Sequence, residues 1–530
     1  MKAQPPPSSG PSQRRTLADL LAADFATLAA LLVAVYLHAA LSAGYLLLPV
    51  EGIAGALAVL SVASVVYGVY YAWREYPQHH RAIAFVVGIT LVTLLAHAYI
   101  IGNPASGYIG DESFYVPEGM GVLSGQHCSF GGGAPTNCHL EHPFLVPGLI
   151  AAGMAVFGAQ NAVGWRFFPV LLGTFSLPLL FGIAWKTSGS KRLAYLSTLL
   201  LGLDVMFFAQ SGSAFLDIPE TFFGLAAFLA YFVGLRWWKL DKYFFAGLFL
   251  GLAGLSKETA VFMVMALLTY ILLFGEGGRG EKVYSLLKVV VVVGLVFAAG
   301  MQAYDSTLAT PTVPTFVQQT SYILSYGSSL IAGRLACQPT IGYFCKYPGL
   351  PGGPPIIPTD WLVFYSPVAY FRVGVTVNPG NLSFTGVAYY GVTNLIETWA
   401  TYVWLPLLGY ALYRYFRTRQ PAAEGPGTPS RGADPHHVDG ETRFVAFAFI
   451  AFLWGYVPYL LLFLGERVTY PFYLVPALPA MAMGTAYWIS RNWFPKWLIA
   501  VYLFIVFLFF FVYFPDKSFL PDWLRAVIGH

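Results

Sequence analysis

Long apolar segments separated by short polar turns dominate this sequence. A helix needs about 20 apolar residues to cross the hydrocarbon core of a bilayer, and thirteen segments are interpreted as crossings. They lie at residues 25–46, 53–72, 82–101, 163–185, 193–209, 218–235, 243–255, 259–274, 285–302, 387–413, 443–464, 471–489 and 497–514. Because 243–255 and 259–274 are short, broken or tilted helices are expected there. The pattern predicts an all-α polytopic membrane protein with a bundle of about thirteen transmembrane helices.

The distribution of positive charge predicts the orientation. The first residues are polar, basic and rich in Pro and Ser, which is typical of a disordered cytoplasmic tail. No small-x-small cleavage site follows the first apolar run, which favours an uncleaved anchor over a cleaved signal peptide. With the N-terminus inside, 21 of the 29 Lys and Arg residues fall on the cytoplasmic side. This asymmetry agrees with the positive-inside rule.

The composition supports the same class of protein. Of 530 residues, 57% are hydrophobic and 10% are charged, whereas soluble domains carry about 25% charged residues. So few charges cannot cover a water-facing surface, which excludes a soluble enzyme, a disordered scaffold and a nucleic-acid-binding module. The net charge of +4 is too small to indicate a polyanionic partner.

The predicted crossings divide the chain into membrane blocks and two long non-cytoplasmic loops. An apolar run within the first loop, from Leu140 to Gly158, is short and contains Pro, so it is interpreted as an interfacial helix. The predicted regions are a disordered tail (1–24), three spans (25–101), the first outer loop (102–162), core spans (163–302), the second outer loop (303–386), C-terminal spans (387–514) with a flexible cytoplasmic linker (414–442), and an outer tail (515–530).

All four cysteines fall in the two predicted outer loops. Cys128 and Cys138 lie in the first loop, and Cys337 and Cys345 lie in the second. Because the outer compartment permits oxidation, we expect the disulfides Cys128–Cys138 and Cys337–Cys345. The alternatives are free thiols, or a metal site formed by the first pair with the flanking histidines. The sequon at residues 381–383 also lies on the side where glycosylation occurs.

Several predicted outer turns carry ionisable residues. Each one alone is explained by a solvated or snorkelling charge, but carboxylates and cations that recur at one membrane surface favour a shared polar cavity. Such a cavity suits an anionic lipid head group, because cations bind phosphate and carboxylates bind sugar hydroxyls, a metal or an acceptor proton. The residues are Asp111, Glu112, Glu141, His142, Arg166, Asp217, Glu220, Lys257, Glu258, Glu466 and Arg467.

The order of these motifs resembles the dolichyl-phosphate-mannose protein O-mannosyltransferases. An Asp-Glu pair after an early span is followed by His-Pro before the interfacial helix, then by WRFFPVLLGTFSLPLLFGIAW and AFLDIPETFF. The segment GLFLGLAGLSKETAVF resembles that family's Gly-rich span with a lysine at its outer end. The segment RVTYPFYLVPALPAM is similar to the late segment of the same enzymes and of the lipid A aminoarabinose transferases.

The chain also departs from the family pattern. An additional pair of spans precedes the Asp-Glu loop, and Ser211-Gly212 stands where Ser-Arg is usual. The second outer loop is too short and too rich in Pro to hold the β-trefoil insertion of the eukaryotic enzymes. These departures leave the acceptor open and do not change the expected fold.

The resemblance implies a GT-C type glycosyltransferase that uses a polyprenyl-phosphate-linked sugar. It implies that Asp111 deprotonates the acceptor hydroxyl in an inverting displacement and that Glu112 is its catalytic neighbour. Lys257, Arg166 and Arg467 would hold the departing phosphate. Glu141, His142, Asp217 and Tyr470 would line the donor site. The candidate cofactor is a divalent Mg, Mn or Zn ion, with Asp111, Glu141 and Asp217 as candidate ligands.

The implied reaction transfers a mannose-like hexose to a protein Ser or Thr, or to a lipid or glycan, on the non-cytoplasmic face. The plasma membrane of a prokaryote and the endoplasmic reticulum fit this topology equally well. A polytopic transporter of an anionic or lipid-linked substrate is the alternative, but it needs polar groups near the bilayer midplane. An oligosaccharyltransferase would carry a Trp-Trp-Asp motif. Here Trp237-Trp238 is followed by Lys239, on the predicted cytoplasmic side, which excludes that class of enzyme.

Overall fold

The computed structural model describes most of the chain from residue 66 onward. The described residues are 66–105, 107–125, 140–308, 316–329, 358–363, 368–377, 382–418, 438–465, 467, 469–491, 494–521 and 523–524. All four cysteines, the sequon asparagine, Glu466 and the predicted N-terminal tail lie outside these residues. The predicted disulfides are therefore not tested by the structure.

The described chain is mostly helical, as the apolar pattern predicts. Its helices are α1 (His80–Ile100), α2 (Glu112–Leu123), α3 (Leu145–Phe157), α4 (Ala162–Ser188), α5 (Lys191–Gly202), α6 (Val205–Ser211), α7 (Asp217–Val233), α8 (Lys242–Ser256), α9 (Val261–Phe274), α10 (Arg279–Leu308), α11 (Phe316–Ser329), α12 (Asp360–Val363), α13 (Leu395–Thr418), α14 (Gly440–Leu464), α15 (Leu478–Ile489) and α16 (Lys496–Tyr513). Residues 66–75 are also helical, and short 3₁₀ turns occupy Pro77–His79, Glu258–Ala260 and Pro471–Ala477.

Several of these helices are long and apolar enough to cross a membrane. Within the described ranges there are six such spans, and a seventh if the bent pair α5–α6 counts as one. The six are Pro77–Ile100, Ala162–Ser188, Arg279–Tyr304, Gly440–Leu464, Pro471–Ile489 and Lys496–Tyr513. The chain is therefore a multi-pass membrane protein. The predicted number of thirteen crossings is not confirmed, and the first crossing and most of the second lie outside the described residues.

The fifth predicted crossing, 193–209, is wrong as a continuous helix. It consists of α5 and α6, which are bent by 65° at a short break. Asp204 causes the second helix to begin there, because its carboxylate accepts a hydrogen bond from the backbone N–H of Phe207 at 2.8 Å. An aspartate at this position caps a new helix start, and α6 then leads towards the polar turn before α7.

The centre of the bundle consists of α7 and of α4 and α8, both of which pack on α7. In the most apolar 18-residue stretch of α4, 83% of the stretch is buried. This helix therefore lies inside the bundle rather than against lipid. Helix α8 approaches α10 closely through two glycines one turn apart. A Cβ on Gly247 would lie 2.8 Å from Cβ of Val292, and one on Gly251 would lie 2.6 Å from Cβ of Val296. Small residues at this spacing permit close helix packing in membranes.

An antiparallel hairpin lies at the end of the second outer loop and extends into the next predicted crossing, where no strand is predicted. Strands β1 (Val368–Val377) and β2 (Leu382–Gly391) pair with each other. The predicted crossing 387–413 is therefore wrong at its start, and helix α13 begins only at Leu395. Hydropathy cannot separate a short apolar strand from the first turns of a helix. The hairpin supports the first outer loop, since the backbone N–H of Gly110 donates to the carbonyl of Tyr370 at 3.3 Å.

Candidate active site

Glu112, at the first turn of α2, and Arg166, in the first turns of α4, form a fully buried ion pair. Both side chains are 0% exposed. The Nε and one terminal nitrogen of Arg166 donate to the two carboxylate oxygens of Glu112, each at 2.8 Å. The same carboxylate accepts the backbone N–H groups of Ile109 and Ala214, both at 2.9 Å. Glu112 is thus fully occupied by protein partners.

The remaining hydrogen-bonding capacity of Arg166 is also used by the protein. Its terminal nitrogens donate to backbone carbonyls at the end of the third predicted crossing and in the first outer loop, at residues 101, 103, 104 and 107, over 3.0–3.3 Å. The guanidinium therefore fixes the conformation of the chain segment that precedes Asp111. The sequence predicts a phosphate contact for Arg166 and a catalytic part for Glu112. The structure instead places both in a scaffold beneath the loop, without a free donor or acceptor directed at a substrate.

Asp111 directly precedes Glu112 in the sequence but has a different environment. It occupies the N-cap position of α2, yet its side chain makes no capping hydrogen bond. Burial raises the pKa of Asp111, and the negative charge of Asp217 raises it further, while the positive charges of Lys257 and His142 lower it. Asp111 is therefore electrostatically coupled to three of the other predicted site residues. A carboxylate with a raised pKa and no capping bond fits a general base.

Asp217 and Lys257 form a second buried ion pair beside Asp111. The Lys257 ammonium donates to Oδ1 of Asp217 at 2.6 Å, and both side chains are nearly buried. Asp217 begins α7, and Lys257 lies at the turn after α8, so two packed helices bring the charges together. The ammonium also lies 4.6 Å from the ring centre of Tyr473. Unlike Arg166, Lys257 makes one hydrogen bond within the described residues, although its ammonium carries three donor hydrogens.

His142 and Glu258 form a third pair at the same surface. Nδ1 of His142 lies 3.0 Å from Oε2 of Glu258, and about a quarter of each side chain is exposed. Burial alone would raise the pKa of Glu258, but the charge and the hydrogen bond of His142 lower it to about 2. The ring of His142 also meets Tyr115 of α2 edge-on at 6.0 Å. The pair thus connects the first outer loop to the turn that carries Lys257.

Arg467 differs from the other two cations because it has no carboxylate partner among the described residues. Its Nε is buried without a hydrogen-bond partner, and a Cβ on Gly327 of α11 would lie 3.4 Å from one of its terminal nitrogens. Its positive charge influences Tyr473, which also lies against Lys257. Lys257 therefore contacts the Tyr473 ring, and Arg467 lies within electrostatic range of the same residue.

Tyr470 belongs to the same aromatic group. Its ring stacks on Phe472 at 5.2 Å and meets Tyr473 edge-on at 5.8 Å. The predicted donor-site tyrosine is thus separated from Lys257 by one aromatic ring.

Glu141 lies beside another carboxyl group, Glu118 of α2. Burial raises the pKa of Glu118 well above its ordinary value, and the charge of Glu141 raises it further. Among the residues that the structure describes, no three His, Cys, Asp or Glu side chains meet as metal ligands. The expected ligand set Asp111, Glu141 and Asp217 is therefore not assembled as a metal site, and the divalent ion stays a prediction.

Residues 141–303 match the family model described as dolichyl-phosphate-mannose-protein mannosyltransferase. The polyprenol-phosphate-mannose–protein mannosyltransferase of Mycobacterium tuberculosis is 30% identical over 222 residues, which is 36% of this chain and 41% of that protein. The protein of the same name from Corynebacterium glutamicum is 27% identical over 225 residues, covering 37% and 42%. The predicted resemblance to this family is confirmed. The chain spans about two fifths of the length of the relatives it matches.

A solved mannosyltransferase structure shares the fold. A chain of the S. cerevisiae protein O-mannosyltransferase Pmt1-Pmt2 complex, bound to its sugar donor, superposes with a TM-score of 0.53. The match covers 81% of this chain and 89% of that one, at 13% sequence identity. The likeness shows a common fold, as the sequence motifs imply.

The segment that matches the mannosyltransferase family model contains only some of the residues that the structure brings together at the site. The matched segment includes His142, Arg166, Asp217 and Lys257, whereas Asp111 and Arg467 lie outside it. Nothing in the sequence predicts a donor-site or catalytic role for Glu258, Tyr115 or Tyr473. A histidine followed by a carboxylate more than a hundred residues later carries no local signal, so only the fold reveals these contacts.

Proposed function

We propose that this chain transfers a hexose, mannose above all, from a polyprenyl- or dolichyl-phosphate donor to a hydroxyl acceptor. The acceptor is a protein Ser or Thr, or a lipid or glycan. The reaction is an inverting single displacement on the non-cytoplasmic face of a bundle of about thirteen helices, in the plasma membrane of a prokaryote or in the endoplasmic reticulum. The names of the M. tuberculosis and C. glutamicum relatives support a polyprenol-phosphate-mannose donor and a protein acceptor.

The observation that carries this proposal is the position of Asp111 among cations. Its carboxylate is coupled to Lys257 and His142, and its pKa is raised by burial and by Asp217. A base that is partly shielded from water, close to groups that bind phosphate, suits removal of a proton from an acceptor hydroxyl. The hydroxyl oxygen attacks the anomeric carbon as the bond to the lipid phosphate breaks. The proton goes to Asp111, and the electron pair stays on the departing phosphate.

Two cations are available to the departing phosphate. Arg467 has no carboxylate partner in the described structure and retains donor capacity, so we assign it the principal phosphate contact. Lys257 is held by Asp217 and has donor hydrogens left, so we assign it a second contact. Positive charge at this point stabilises the negative charge that develops on the leaving group. Arg166 holds the loop, and no step is assigned to it or to a metal.

The substitution Asp111→Asn tests the assignment. Asparagine keeps the shape of the side chain but cannot accept the proton, so transfer should fall by about 10²–10⁴-fold. Affinity for the sugar donor should change little, because the donor contacts are made by other residues. Single-turnover transfer from labelled polyprenyl-phosphate mannose in detergent, with products identified by mass spectrometry, measures the rate.

Glu276→Gln is the matched control, because it removes a carboxylate that is 87% exposed on another turn. It should transfer at the wild-type rate. A fully active Asp111→Asn enzyme would contradict the base assignment. Failure of the wild-type protein to consume any donor without an ion gradient would favour the transporter alternative.

A further inference from the structure

Helix α11, within the second outer loop, contacts the candidate active site. Gly327 packs against the guanidinium of Arg467, since a Cβ there would lie 3.4 Å from its nearest nitrogen. Ile323, one turn earlier, is buried in the main hydrophobic core. Burial raises the pKa of Tyr326, and the charges of Glu141 and Asp111 raise it further. The C-terminal end of α11 thus lies beside Arg467, one of the groups proposed to bind the donor phosphate.

Gln319 lies on the buried face of α11, and its side chain makes no hydrogen bond. It is 1% exposed, and neither its amide oxygen nor its amide nitrogen has a hydrogen-bond partner. Burying an unpaired amide is costly, so nearly all buried polar groups in proteins have partners. The preceding residue, Gln318, is exposed, because adjacent residues of a helix are rotated by about 100° from each other. The sequence thus offers two adjacent glutamines in contrasting environments.

The helical geometry relates Gln319 to the rest of the site. Seven residues make almost two complete turns, so Gln319 and Tyr326 point in nearly the same direction, about 10 Å apart along the axis. Gln319, Ile323 and the partly exposed Tyr326 therefore form a row along one face of α11, which ends at the contact of Gly327 with Arg467. Two unpartnered buried groups, the amide of Gln319 and Nε of Arg467, lie at the two ends of this row.

We propose that Gln319 binds the hydroxyl groups of the sugar on the lipid-linked donor, while Arg467 binds its phosphate. This inference rests on the proposed function and names a sugar-selecting residue for it. An amide offers both donor hydrogens and an acceptor oxygen, and a sugar hydroxyl can satisfy both kinds of group. A phosphate would satisfy only the nitrogen and would be repelled by the oxygen. The unpaired amide therefore favours hydroxyls over the anionic part of the donor.

The test compares two ligands that differ only in the sugar. They are polyprenyl phosphate and polyprenyl-phosphate mannose of the same chain length, bound to the full-length protein in detergent. Gln319→Leu should weaken binding of the mannose-bearing lipid by about tenfold or more, because hydrogen bonds to the sugar are lost. Binding of polyprenyl phosphate should not change. Gln318→Leu is the matched control and should leave both affinities at the wild-type value.

Thermal unfolding separates this role from a structural one. Because leucine replaces a buried amide without partners, Gln319→Leu should unfold at the same temperature as the wild type or higher. Gln319→Met should repeat the result with an unbranched side chain. Equal loss of both ligands together with a lower unfolding temperature would overturn the inference. Wild-type affinity of both variants for the mannose-bearing lipid would overturn it as well.

The outcome is also distinguishable from failure of the proposed function. If the wild-type protein binds the mannose-bearing lipid no better than polyprenyl phosphate, there is no sugar contact and the inference about Gln319 is wrong, whatever the transfer assay shows. If binding depends on the sugar and on Gln319 but no transfer occurs, the inference stands and only the transferase assignment fails.

Discussion

Asp111 and Glu112 are adjacent carboxylates that the structure places in two different regions. Glu112 faces the scaffold under the first outer loop, where Arg166 and two backbone N–H groups occupy both of its oxygens. Asp111 faces the surface shared by Lys257 and His142 and makes no capping bond. The comparison teaches that saturation with hydrogen bonds, rather than proximity to a motif, separates a structural charge from one that is available for chemistry.

The three predicted cations also differ in how far the protein already uses their hydrogen-bonding groups. Arg166 is saturated, Lys257 has one ion-pair partner, and Arg467 has none among the described residues. A buried charge with every partner in place contributes to a unique loop conformation. A cation that retains free donors can bind an anion that arrives later.

The largest expected effect is the loss of the scaffold pair. Arg166→Met leaves the Glu112 carboxylate buried without a counter-charge, and removal of one partner of such a pair costs about 3–5 kcal/mol. We expect a large fall in the yield of folded protein and in its unfolding temperature in detergent, measured by scanning fluorimetry. A normal unfolding temperature for this variant would show that the two regions are not as different as the contacts indicate.

Arg467→Met sharpens the comparison, because it removes a cation of the same type from the second region. Because the structure pairs this guanidinium with no carboxylate of the described residues, the unfolding temperature should stay close to that of the wild type. A hydrogen bond to a charged group contributes about 1.5–3 kcal/mol, so affinity for polyprenyl phosphate should fall by about 10- to 100-fold. Equilibrium binding to that lipid measures the effect. Unchanged affinity would remove Arg467 from the phosphate site.

The smallest expected effect is a displacement of the pH profile. Asp111 must be deprotonated to act as a base, so transfer should be lost as the pH falls through its raised pKa. The charge of Asp217 raises that pKa and the charge of Lys257 lowers it. Asp217→Asn should therefore move the acid limb of kcat/KM to lower pH, and Lys257→Met should move it to higher pH. Shifts in the same direction would contradict the proposed coupling.

The sequence by itself determined the class of the protein and the ingredients of its site. Apolar segments of membrane-spanning length predict a helical multi-pass protein, and the outer turns contain Asp111, Asp217, Lys257 and Arg467. These features are local, because hydropathy and the charge of a turn depend on neighbouring residues. For the same reason the resemblance to the mannosyltransferases is visible from short ordered motifs.

Other features of the fold were decided by contacts that hydropathy does not record. The hairpin of β1 and β2 replaces the expected start of a crossing, because strand pairing depends on a partner segment rather than on apolar character. The break between α5 and α6 depends on one capping bond from Asp204. In both places the apolar character was predicted correctly and its conformation was not.

Only the tertiary structure decided which charged residue is free to act. Glu112 meets Arg166 across 54 residues and Ala214 across 102 residues, while its neighbour Asp111 turns to a different set of groups. The state of a buried carboxylate depends on the solvent it loses and the donors it gains. Those donors are supplied by distant segments of the chain, so two adjacent carboxylates in one motif acquire different surroundings and different roles.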